Sequence, residues 1–306
     1  MRLSRPKPDF ALLCLSFSNI FIAFLAFGCA ASHTTVTKPG GAPQQLQTAS
    51  KQDLIARYNH QAGLVTSLNA GVTMTLTAGS SYTGVIKQYH EINGFILAQR
   101  PASVRVIGQA PVVGTNIFDM VSDGDTFHIF IPSQHKFIVG SAALQRQSAK
   151  PIENMRPQHL TGTLFWDVIP DRAPVLIEEA ADDASRYYVL TVVRGSGSAN
   201  DWEITQRIWF DRADLSVARI QTYESGGKLG SDVAYSAWSD AGGANFPRQI
   251  SLSRPDSDYK LQIGVKKVTF NETISADRFV LRQPPGTELV NAGEDSQPAK
   301  PGEQEP

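Results

Sequence analysis

Cysteine is scarce in this chain of 306 residues: there are two, Cys14 and Cys29, both near the N-terminus. Beyond residue 29 no thiol remains for a disulfide, a metal ligand or a nucleophile. A chain of this length can bury enough core to dispense with disulfides. An excess of positive charge is also lacking. Lys and Arg number 28 against 29 Asp and Glu, a formal net charge of −1, so nucleic acid is not an expected partner. No long clean apolar run is present either. The stretch Phe10–Phe27 is broken by Ser16, Ser18 and Asn19, and its strongest part is Ile20–Phe27. That falls short of the roughly 20 apolar residues a spanning helix needs. Catalytic signatures are missing too: no G-x-S-x-G, H-E-x-x-H, Walker or G-x-G-x-x-G sequence occurs. No catalytic, metal-binding or cofactor set is expected. Asp119, Asp123 and Asp125 lack the remaining ligand spacing of a calcium loop and read as part of a polar β-turn. The acidic run Glu178-Glu179 with Asp182-Asp183 reads as a solvated loop.

What is present begins with Arg2, Arg5 and Lys7 ahead of the short apolar stretch. That is the layout of a signal peptide. It ends in Ala26-Phe27-Gly28-Cys29, which resembles the lipobox cut by lipoprotein signal peptidase, with Ala26 where Leu is usual. The reading is a signal peptide over 1–28, a lipidated Cys29, and a Thr-, Pro-, Gly- and Gln-rich tether to residue 49. Such a tether has an r.m.s. reach of about 25 Å. The chain from 50 to 290 is one β-rich domain, since no linker-like stretch divides it. The Pro-, Gly- and Glu-rich end, 291–306, is read as disordered.

Ser50-Lys51-Gln52-Asp53 has the form of a capping box. Leu54, Ile55, Tyr58, Ala62, Val65 and Leu68 then recur at helical spacing, predicting one amphipathic helix over Lys51–Leu68. Afterwards the period drops to two: Val72, Met74 and Leu76 alternate with Thr73, Thr75 and Thr77. Strand-like runs follow at Gly84–Asn93, Phe95–Gln99, Val104–Gln109, Asn116–Ser122, Thr126–Pro132 and Lys136–Gly140, with Asn93-Gly94 among the turn signals. Pro151–Val168 is irregular, and Leu160, Leu164 and Phe165 suit a short helical plug. Strands resume at Tyr187–Arg194, Trp202–Phe210, Val217–Glu224, Asp232–Trp238, Gln249–Ser253, Tyr259–Asn271 and Phe279–Leu281. Short strands joined by turns predict an antiparallel sheet curved into a sandwich or barrel.

The aromatic residues are spread along the chain, and most are accounted for by a core between sheet and helices. A sheet that wraps a helix without closing can also leave an apolar pocket. Burial of an acyl chain there is worth roughly 0.8 kcal/mol per methylene. Phe118, Phe127, Phe130, Phe137, Trp166 and Trp209 are the candidates to line it.

The run Arg100–Gly140 resembles the lipoprotein-carrier superfamily of LolA and LolB. The pieces are Pro101-Ala102-Ser103-Val104-Arg105, the turn Asp123-Gly124-Asp125, and Phe127-His128-Ile129-Phe130-Ile131-Pro132. Phe279-Val280-Leu281 followed by Pro284-Pro285-Gly286-Thr287-Glu288 resembles the terminal pattern of that group. The resemblance implies a mainly β (α+β) fold: a half-open antiparallel β-barrel wrapping an amphipathic helix and a short helical plug, with an acyl-binding cavity. It implies no enzyme, but a membrane-anchored protein that carries or receives lipids or lipoproteins, with a periplasmic carrier protein as a possible partner. Ala110-Pro111-Val112-Val113-Gly114 resembles a membrane-inserting loop of the receptor-type members, making Val112 and Val113 candidates to face the membrane; the alternative is that the loop folds back and Val112 or Val113 joins the core. The lipobox points to the receptor-like side of that group, and Ala30, standing where an Asp would be the usual inner-membrane retention signal, favours the outer membrane. The rival readings are a scaffold or accessory subunit of an envelope assembly, or an enzyme acting on envelope glycans or lipids.

The anchor is tested directly by Cys29→Ser. The substitution is expected to abolish metabolic labelling with palmitate and to release the domain into the soluble envelope fraction. Undiminished labelling would end the lipoprotein reading.

Overall fold

The computed structural model describes residues 45–80, 84–143, 156–195, 197 and 201–292. The predicted signal segment, Cys29, most of the tether and the tail past Ala292 lie outside the described residues. Among those described, no helix is long and apolar enough to cross a membrane.

Helix α1 spans Lys51–Leu64. Its start is the capping box: the Ser50 hydroxyl accepts from the Asp53 backbone N–H at 3.2 Å, and the Asp53 carboxylate accepts from the Ser50 N–H at 3.0 Å. The Ser50 hydroxyl also donates to the Asp53 carboxylate at 2.7 Å, and this bond, followed by that of the Ser50 N–H, holds the carboxyl below its usual range. Leu54, Tyr58 and Ala62, four apart, are its buried stripe. The helix ends four residues before the predicted Leu68, because partners distant in sequence take its last carbonyls. Asn271 Nδ2 donates to Leu64 O at 2.9 Å, and Arg100 donates to Ala62 O at 2.9 Å and Val65 O at 3.1 Å. Leu68 therefore belongs to the first strand. Ahead of the helix, Gln47 is already docked, its N–H donating to Arg212 O and its amide to Ala213 O.

Among the described residues, fifteen strands form one sheet: β1 Ser67–Ser80, β2 Val85–Gln88, β3 Ile92–Gln99, β4 Ser103–Gln109, β5 Asn116–Ser122, β6 Thr126–Ile131, β7 Lys136–Ser141, β8 Val175–Ala181, β9 Arg186–Gly195, β10 Trp202–Asp211, β11 Val217–Glu224, β12 Lys228–Asp240, β13 Asn245–Arg254, β14 Tyr259–Phe270 and β15 Glu288–Asn291. Their order is β15-β7-β6-β5-β4-β3-β1-β14-β13-β12-β11-β10-β9-β8, with β2 on β1. All neighbours are antiparallel except β15, which runs parallel to β7. The terminal strands β15 and β8 do not pair, so the sheet is an open, curved half-barrel.

Its concave face holds α1 and a second helix, α2, Gln158–Leu164. The predicted plug is this helix, which buries Leu160 and Leu164 with Phe165 just beyond. Along β1 the inward residues are Ala70, Val72, Met74, Leu76 and Ala78, the period of two that the sequence displayed. Around Trp166 the helices are locked to the sheet. Tyr58 stacks on the indole at 5.4 Å, Trp166 Nε1 donates to the Tyr235 hydroxyl at 3.1 Å, and that hydroxyl donates to Thr163 O at 2.9 Å.

Several expectations are corrected. Asn93-Gly94 is not a turn but lies inside β3. The acidic pair Glu178-Glu179 is not loop but part of β8, an edge strand that the sequence reading missed. Asp and Glu are poor strand formers, yet charge suits an edge, and both acids reach arginines: Glu179 to Arg212 at 2.9 Å, Glu178 to Arg207 at 3.9 Å. Phe279–Leu281 is not a strand. A 3-10 turn, Ala276–Phe279, opens a strap over the outer face of the sheet, held where Arg105 donates to Arg278 O and where His128 Nδ1 meets Leu281 O. The ordered domain runs past 290: Asn291 closes β15 and Ala292 N–H donates to Val139 O.

Arg100 joins these parts. Its guanidinium lies 5.1 Å from the Phe165 ring and donates to three carbonyls, those of Ala62, Val65 and Trp166. Arg100→Ala leaves all three without that donor and is expected to destabilise by about 2–4 kcal/mol, read from a urea melt. A change under about 0.5 kcal/mol would show that the helix ends hold without it.

Candidate functional site

Registered strands place two glycines opposite each other, Gly94 on β3 and Gly108 on β4. A Cβ on Gly94 would lie 2.4 Å from the Met74 methyl, and one on Gly108 would lie 2.5 Å from the Phe118 ring. The pair is thus a bare patch of backbone on the concave face, on which Met74 and Phe118 rest. Side chains that would otherwise rise from the floor are missing there. Above it lies a cavity of about 210 Å³ lined by Met74, Leu76, Tyr89, His90, Ile92, Ile117, Phe118 and Leu261. The lining is aliphatic and aromatic, with His90 and the Tyr89 hydroxyl the polar exceptions.

The cavity sits near one end of the first half of the sheet. The chain leaves β4 at Gln109 and enters β5 at Asn116, next to the lining residues Ile117 and Phe118. The connecting loop projects Val112 and Val113, which are 95% and 72% exposed. Gly114 closes it at φ +66°, its N–H donating to Ala110 O, and Ala110 N–H donates to Thr115 O. Asn93, at the start of β3, binds the loop through Pro111 O. On the neighbouring β2, Ile86 is also exposed.

A much smaller void of about 20 Å³ lies in the second half, between Trp166, Tyr235, Trp238, Phe246 and the helices. There the helices fill the concave face almost completely.

The six aromatic candidates divide by face. Phe118 lines the cavity and Trp166 the small void. Phe127 is buried on the concave face with the Arg156 guanidinium 5.6 Å from its ring centre. Phe130 and Phe137 face the other way: they are cross-strand partners on the convex side, where Phe137 packs 5.5 Å from His128. Trp209 is also convex, edge-on to Tyr187 at 5.5 Å and beneath Arg219. Those three do not line the cavity, because residues on a strand alternate faces and they fall on the wrong parity. Cys29 lies outside the described residues. The residues that sequence reasoning missed are Met74, Leu76, Tyr89, His90, Ile92, Ile117, Leu261 and the two glycines. Gly94 and Gly108 carried the available signal, since glycine inside a strand marks a close approach.

No family model matches the chain, and no curated protein matches it. Solved structures with related chain traces include a DUF1329 family protein from Desulfovibrio piger, 14% identical, covering 74% of this chain and 95% of that one, with a TM-score of 0.48. A LolA superfamily protein from Nitrosomonas europaea is 12% identical over 76% of this chain and 99% of that one, TM-score 0.46. A putative outer membrane lipoprotein-sorting protein domain from Vibrio parahaemolyticus is 10% identical over 74% and 94%, TM-score 0.44.

Gly108→Ala tests the cavity's construction. The added methyl forces the Phe118 ring into the open space. We expect a loss of about 1–3 kcal/mol in a denaturant melt and a loss of the cavity's uptake of benzene, followed by NMR. Unchanged stability together with unchanged uptake would show that the glycine floor does not set the cavity.

Proposed function

We propose that the protein is a lipid-anchored lipoprotein of the bacterial cell envelope that binds an acyl chain in the half-barrel and carries or receives lipids or lipoproteins. The observation that supports this reading is the apolar cavity of about 210 Å³ beside the exposed Val112-Val113 tip. An apolar cavity of about 150 Å³ stays dry and admits benzene. The present one is somewhat larger and suits a segment of one alkyl chain.

In this reading the chain is cut after residue 28 and acylated on Cys29. Residues up to 49 tether the domain, and its last few residues are held by the contacts of Gln47. Ala30 favours the outer membrane, facing the periplasm. The tip valines touch the bilayer, and cargo passes between membrane and cavity at that end. A soluble periplasmic carrier is a suitable donor. The reading requires no catalysis. A scaffold or accessory subunit remains the second reading, and it is distinguished by the absence of a ligand.

The test has two parts. The full chain carrying Cys29→Ser is expected to bind a fluorescent fatty acid saturably at micromolar strength or better. Val112→Glu and Val113→Glu are expected to alter stability by less than about 0.5 kcal/mol, as exposed substitutions do, yet to slow transfer of the bound lipid to liposomes. Absence of saturable binding favours the scaffold. Normal transfer by both variants removes the loop from the mechanism.

A further inference from the structure

The strand ends of the second half share a feature with the valine tip of the first: large apolar side chains left in water. Trp202, at the start of β10, is 58% exposed, and Leu176, near the start of β8, is 64% exposed. The register shows which side they occupy. Trp209 is convex, and its partner on β9 is Val189. Thr191, Val193 and Gly195 follow Val189 on that face at a period of two, with Ile204 opposite Val193 and Trp202 opposite Gly195. Leu176 pairs with Thr191 of the same series, and the Val193 N–H donates to Pro174 O at 3.1 Å. Pro174, Leu176, Val193, Ile204 and Trp202 thus form one apolar corner on the convex side.

Folding gives Trp202 no reason to be apolar. Its cross-strand neighbour is Gly195, beside which there is open space. Residues 202–204 also lie beyond Gln206–Thr222, the last pair between β10 and β11 at that end. The position of the corner is set by topology. Every pairing from β4 along the sheet to β8 is antiparallel, so strand ends alternate. The end of β4, which carries the Val112-Val113 loop, therefore shares a rim with the starts of β10 and β8. Seven strand spacings separate β4 from β10, roughly 34 Å along the sheet.

Two apolar corners so far apart on one rim fit a flat partner broader than the domain. A bilayer is such a partner, whereas a stable protein contact needs a continuous patch. Tryptophan suits the bilayer surface, because its ring is apolar and its N–H stays in the wet headgroup layer. The arginines beside the corner do not supply a free positive field. Arg194 has Glu203 at 3.6 Å, and Arg207 has Glu178 at 3.9 Å.

We propose that the β8–β10 corner is a second bilayer contact, entered by Trp202 and Leu176. With the Val112-Val113 tip it seats one rim of the half-barrel on the membrane, through apolar contact rather than charge. This rests on the reading of a protein anchored at a bilayer and adds where the domain meets it.

The experiment incorporates the full chain into phosphatidylcholine vesicles through its own anchor and reads tryptophan fluorescence. The lipid chains are brominated close to the headgroup, and bromine quenches only at close approach. The tether alone leaves the orientation of the domain free. Trp166 is buried, and Trp209 and Trp238 are half-buried, so Trp202 is the indole within reach. The unsubstituted chain is expected to be quenched and to shift its emission to shorter wavelength. Trp202→Phe is expected to lose that quenching. Leu176→Glu, which keeps the reporter, is expected to lose most of it. Quenching is expected to persist in high salt and to be no stronger when anionic phosphatidylglycerol is added. A chain that joins the vesicles without quenching overturns the corner and leaves the anchored reading standing. Quenching that survives Trp202→Phe, that is undiminished in Leu176→Glu, or that high salt abolishes also overturns it. A chain that does not join the vesicles overturns both readings. Leu176→Glu is read on Trp202 itself, so a folding defect in Trp202→Phe does not protect the proposal.

Discussion

An unclosed sheet of fifteen strands cannot leave its concave face to water, and Trp166 is where this protein meets that constraint. The indole is clamped between Tyr58, stacked at 5.4 Å, and the edges of Tyr235 and Trp238 at 5.2 and 6.0 Å. Its N–H is satisfied by Tyr235, Tyr235 is satisfied by Thr163 O, and Tyr58 receives the Gln206 amide at 3.1 Å. Each buried polar atom in this chain of contacts has a partner, so the cluster avoids the desolvation cost that an orphaned group would carry. Burial drives the phenols of Tyr58 and Tyr235 far above their ordinary range. They stay neutral, and the network keeps its donors and acceptors across the accessible pH range. One cluster thereby ties α1, α2 and the strands β10 and β12 into a single unit.

The consequence is an unequal filling of the bowl. In the second half, large side chains from two helices meet the sheet and leave a void near the size of one water. In the first half the helices contribute less and the floor itself has been lowered by Gly94 and Gly108. A void lined by Met74, Leu76, Phe118 and Leu261 forfeits dispersion contacts on its open side. That loss is tolerable only because the rest of the core is anchored elsewhere, at Trp166 and Arg100. The stable half of the bowl carries the cost of the receptive half.

Much of the architecture was legible in the sequence because local chemistry determined it. The capping box at Ser50 and Asp53, the alternation along β1 and the apolar residues of α2 are all short-range patterns. What was illegible depended on partners far away in the chain. The end of α1 at Leu64 is set by Asn271 and Arg100, more than 30 positions away, which overrode a helical pattern continuing to Leu68. Gly94 carried a turn-like dipeptide, yet it is held in β3 by pairing with β1 and β4 on both sides. The acidic β8 forms because β9 offers it a full ladder and Arg207 and Arg212 offer it charge. For the aromatic residues, parity decided the outcome. Phe127 and Phe130 share a strand and a chemical character, but three positions apart they fall on opposite faces, and only the register shows which face is the inner one.

That same parity explains why the first half of the sheet bears a void without collapsing. Over β4 to β7 its convex side is not a solvent face. Val121, Phe137 and Asp119 are buried there, beneath the strap that begins at Ala276. Asp119 is held by Arg105 in a two-pronged pair, at 3.0 and 2.7 Å, and Arg105 also donates to Arg278 O of the strap. A buried pair of this kind contributes little net stability, but breaking it is costly, so it fixes position more than it adds energy. On the second half the convex side instead carries exposed ion pairs such as Arg194–Glu203 and Arg207–Glu178, which constrain little. The β5 wall of the cavity is therefore covered on both faces, while β3 and β14 keep water on the convex side at Phe95, Lys260 and Gln262. With those walls held, the freedom needed to admit a chain falls to the parts at the same end that have water on one side: the Val112-Val113 loop, β2, and the Tyr89-His90 connection beside it.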